Sequence, residues 1–150
     1  MIYTSKLPDQ PSALIRVALA DLQKCLADPI YKIDMRTWHK PVDSGKHCSV
    51  CLAGSVLAQT LNVSPNESVP TQSPFAWRFF SDNKKLLALN YFRIGAFFEG
   101  LILMGVPHPY NDAELNDVKH LPVVEYDKAH PELFINAMDV VADALERCGY

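Results

Sequence analysis

The chain has 150 residues, of which 49% are apolar and 21% charged, with a formal net charge of −3. That is enough for one domain with its own core, and it is not the composition of a disordered chain. A mildly acidic chain lacks the basic surface of a nucleic-acid binder, and four unevenly spaced cysteines do not make a secreted disulfide scaffold.

The opening MIYTSKLPDQ has no basic start followed by an apolar run, so no secretory leader is expected. A first helix is predicted from about Gln10 to Asp28. Pro11 suits the first helical position, Leu14, Ala18, Leu22 and Cys25/Leu26 form a buried stripe, and Pro29 ends the helix. Tyr31, Ile33 and Met35 alternate with Lys32, Asp34 and Arg36, which is the period of a half-buried strand. No charged residue occurs between Lys46 and Glu67. The run HCSVCLAGSVLAQTL therefore predicts a helix over about 47–61 that protein surrounds on nearly every side. Cys51, Gly54, Ser55 and Ala58 give it one small side, where another helix can approach closely, and Asp43 or Ser44 is its expected cap.

Val63 to Phe75 reads as a long loop. A third helical region is predicted from about Asp82 to Met104, and Gly95 and Gly100 can split it. Its apolar second half runs for about a dozen residues and includes Glu99, short of the roughly 20 that a membrane span needs. Asn111 to Lys119 suits one or two helical turns. Leu121 to Asp127 has the composition of a strand, with Pro122 confining it to an edge, and it is the expected partner of the strand near Tyr31. A last helix runs from Pro131 to Gly149 with Phe134, Ala137/Met138, Val141, Leu145 and Cys148 as its core stripe. The expected fold is mainly α: a single domain over 1–150, with four to five helices around the buried helix 47–61 and at most a short two-stranded β element.

The segment with most chemical content is His47-Cys48-x-x-Cys51. At a helix start such a pair suits thiol redox chemistry, but that motif normally follows a strand in a βαβ unit. Two thiolates separated by two residues also suit zinc, with Cys25, Cys148, His39 and His47 as the available further ligands. CSVCLAGS resembles the nucleophile segment of papain-type cysteine hydrolases, and by that resemblance Cys51 is the nucleophile. The sequence departs from that pattern: Leu52 stands for its aromatic residue and Gly45 for its oxyanion glutamine. His108, His120 and His130 lack the context of its histidine. Against these stands a simpler reading, in which Cys48 and Cys51 are small core residues of a buried segment. That reading is preferred, so no catalytic residue, metal ligand or cofactor is expected. Cys51, Cys48 and His47 remain the candidates of a cysteine-based enzyme or zinc-binding alternative.

Two aromatic stretches suit binding. Trp77, Arg78, Phe79 and Phe80 lie at the end of the long loop, and Phe97, Phe98, Leu101 and Ile102 form an excess apolar face. Either can instead be core.

The amphipathic first helix, the Trp38-His39 turn, CSVCLAGSVLA and KLLALNYFRIG ending in LMG resemble small proteins encoded by tailed bacteriophages and prophages. The resemblance covers about a quarter of the chain and supplies no catalytic residue. It implies an accessory protein made in the bacterial host cytoplasm, with a host factor as a candidate partner. The chain as a whole is read as non-catalytic, acting by protein–protein contact. A homodimer is expected, with no nucleic-acid or membrane partner.

Overall fold

A computed structural model describes residues 6–69 and 80–150. Among these the chain is mainly helical with a small sheet, in two compact units. One unit contains Val17–Asn83. The other contains Pro8–Arg16 and Lys84–Tyr150.

Helix α1, Pro11–Ala27, contributes its later part to the first unit. There Ala18, Leu19, Leu22 and Cys25 are buried, as the predicted stripe requires, while Leu26 turns outward. Three short strands follow: β1 (Tyr31–Ile33), β2 (His39–Val42) and β3 (His47–Val50), in the order β1-β3-β2. Strand β3 runs parallel to β1, with Lys32 opposite Ser49, and antiparallel to β2, with Lys40 opposite Ser49.

Several expectations are corrected. The sheet has three strands where at most two were expected, and six α-helices are present among the described residues where four to five were expected. Residues 47–50 are strand rather than the first turn of a helix, and α2 spans only Leu52–Ala58. The cause lies in the preceding turn, where Asp43, Ser44 and Gly45 all adopt positive φ and fold β3 back along β2. Cys51, not Asp43 or Ser44, caps α2. Both a buried strand and a buried helix exclude charge, so the chargeless run is compatible with either. In addition, the strand near Tyr31 pairs with β3 and not with residues 121–127, which join no sheet.

All seven residues of α2 are buried. Its small side faces main chain, where another helix was expected. A Cβ placed on Gly54 would lie 1.5 Å from the Trp38 carbonyl oxygen. The same oxygen accepts the Cys51 N–H at 3.3 Å. Beyond α2, the Thr60 hydroxyl donates to the buried Asp21 carboxylate of α1 at 2.6 Å. Burial raises the Asp21 pKa against that bond and the Lys24 charge, which both lower it.

In the second unit, the predicted long helix is divided, as Gly95 permits. Helix α3 spans Phe80–Arg93 and α4 spans Phe97–Leu103, with Gly95 at φ +80° between them. The Phe92 and Phe97 rings stack at 6.4 Å, and Gly100 lets the Phe92 ring lie against α4. Short helix α5 (Leu115–Lys119) and helix α6 (Pro131–Arg147) complete the unit, with Phe134, Met138, Val141 and Leu145 inward. Arg16 bridges Asp143 and Glu146 at 2.8 and 2.6 Å, tying the start of α1 to α6. No helix among the described residues is long and apolar enough to cross a membrane.

Gly54→Ala is expected to prevent stable folding or to cost more than about 3 kcal/mol, because the Trp38 carbonyl belongs to main chain that other bonds hold in place. Gly105→Ala should cost only about 1–2 kcal/mol, the strain of a left-handed residue in open space. Urea denaturation of both variants checks the contrast.

Candidate functional site

The alternation of β3 separates the histidine and the cysteine of the HCxxC motif. Successive side chains of a strand point to opposite faces, so His47 and Cys48 diverge. His47 is partly exposed and bonds through Nδ1 to Asp43 at 2.8 Å. Asp43 also accepts from Lys32 Nζ at 2.6 Å, and these partners, Lys32 before His47, hold its carboxyl below the usual range.

Cys48 points into the core and is fully buried. Its nearest polar side chain comes from β2: Sγ lies 3.6 Å from His39 Nδ1 and 3.7 Å from Nε2. Near-equal distances place the sulfur between the two nitrogens and in line with neither. The Nδ1 proton is already committed, because Nδ1 donates to the Glu67 carbonyl at 2.7 Å. Burial pushes the Cys48 thiol up to about 11 and outweighs a hydrogen bond from the Lys40 main chain. Burial also lowers the His39 pKa, against the carbonyls of Glu67, Val63 and His39 itself, which raise it. A neutral imidazole beside a protonated thiol, both closed off from solvent, is not an activated nucleophile pair.

Cys51 is buried as well. Its Sγ accepts the Gly54 N–H at 3.4 Å, the part that a serine plays at many helix starts. Cys25 is buried and accepts from Gln59 Nε2 at 3.5 Å, and burial raises its thiol pKa. Cys148 is partly exposed, and all four cysteines are free. Among the described residues no three histidine, cysteine or acidic side chains converge to hold a metal ion. His108, His120 and His130 are exposed in the second unit. A depression of about 520 Å³ there, lined by His108, Asn111, Asp112, Ala113 and Glu114, lies wide open to solvent. It lacks the enclosing apolar walls of a small-molecule site.

The expected binding residues separate. Trp77, Arg78 and Phe79 lie outside the described residues, and Phe80 is the first residue of α3. Phe97 and Leu101 are core, so the apolar surface expected around them does not form at those positions. They turn inward because Gly100 brings α4 against Phe92. Phe98 is half-buried, edge-on to Tyr110 at 4.8 Å with the Lys119 ammonium 5.6 Å from its ring centre. Ile102 does face solvent.

Four further exposed apolar residues were missed: Ile94, Val123, Leu133 and Val140, each about half exposed. A signal for two of them was present. Leu133 and Val140 are seven residues apart on α6 and lie off the stripe formed by Phe134, Met138, Val141 and Leu145.

With native protein at pH 8, a thiol reagent is expected to modify Cys148 first and to leave Cys25, Cys48 and Cys51 unmodified until unfolding; rapid reaction at Cys48 or Cys51 would contradict the sealed core. His39 gives a pH dependence. Its folded pKa is depressed, so below about 6.5 the unfolded chain binds the extra proton. Its contribution to stability is therefore present above that pH and is lost as pH falls toward the folded value. His39→Asn keeps a donor for Glu67 and does not titrate. It should flatten the loss of stability between pH 7 and 5, measured by urea denaturation.

Compared with protein-family models, with curated proteins and with solved structures, the chain matches none.

Proposed function

We propose that this chain is a non-catalytic accessory protein of phage or prophage type, working by contact with other proteins in the bacterial cytoplasm and assembling as a homodimer. The observation that carries the reading is the set of half-exposed large apolar side chains on the second unit: Ile94, Ile102, Val123, Leu133 and Val140. Single exposed apolar residues are ordinary, but Leu133 and Val140 lie two turns apart on one face of α6 and suit a surface that a partner covers. The closed environment of Cys48 and Cys51 supports the same reading from the other side, since the chemistry of a cysteine enzyme needs a thiolate that substrate can reach. The phage-type assignment is supported by the segments CSVCLAGSVLA and KLLALNYFRIG alone.

A cysteine-based function is the second reading, and the placement of His39 beside Cys48 is the one feature in its favour. Stoichiometric zinc in protein purified without chelator would establish it in place of the first.

Sedimentation equilibrium at tens of micromolar is expected to give about twice the 16.8 kDa chain mass. Leu133→Glu and Val140→Glu should each weaken the dimer by about tenfold or more, because an acid placed in an apolar contact is left unpaired. A wild-type monomer at that concentration would refute the dimer.

A further inference from the structure

We draw no further inference here: the strongest candidate, the narrow apolar cleft of the second unit between Phe92, Val124 and Met138, which Arg93 also lines with its Nε buried and without a hydrogen bond among the described residues, holds about 10 Å³, too little for anything larger than a water molecule, and nothing in the structure shows a ligand for it.

Discussion

The first unit depends on one close approach, that of Gly54 to the Trp38 carbonyl. No side chain fits between them, and α2 can pack on the loop between β1 and β2 only because residue 54 has none. That contact fixes where Cys51 begins the helix, since its N–H bonds the same oxygen. It also helps to place the inner face of β3, where Cys48 and Val50 are fully buried beside His39. The absence of charge over residues 48–58 follows: a strand and a helix packed at this distance have no solvent face on which to carry one.

The same packing determines the chemistry of the sulfurs. A cysteine at a helix start is a reactive group only where solvent or a base can reach it. Here burial raises the Cys48 thiol, commits His39 to a carbonyl and turns the Cys51 sulfur into a helix cap. The one histidine of the motif with an exposed edge, His47, belongs to the other face of the sheet. The residues of a reactive site are thus present in the sequence but distributed so that they do not act together.

The second unit has a different character. Its core is built from aromatic and aliphatic stripes that the helices bring inward, and large apolar side chains such as Ile102, Leu133 and Val140 are left about half exposed at its surface. Such side chains suit contact with protein, and they are the basis of the proposed function.

Where a segment carried a full period, the sequence by itself determined the element. The stripes of α1 and α6, the break at Gly95 and the mainly helical class with a short β element were all legible, because 3.6-residue periodicity over many turns and glycine's conformational freedom are local properties. The sequence also showed that most of residues 47–61 is buried, as residues 48–58 are. Tertiary structure alone decided that they divide into β3 and α2, since an apolar run of a few residues satisfies a buried strand and a buried helix alike, and the positive φ of Asp43 and Ser44 is not written in their residue types. It likewise decided that Phe97 and Leu101 face inward while Leu133 and Val140 do not. Which apolar side chains a helix buries depends on what lies against it, and for α4 that is the Phe92 ring seated on Gly100.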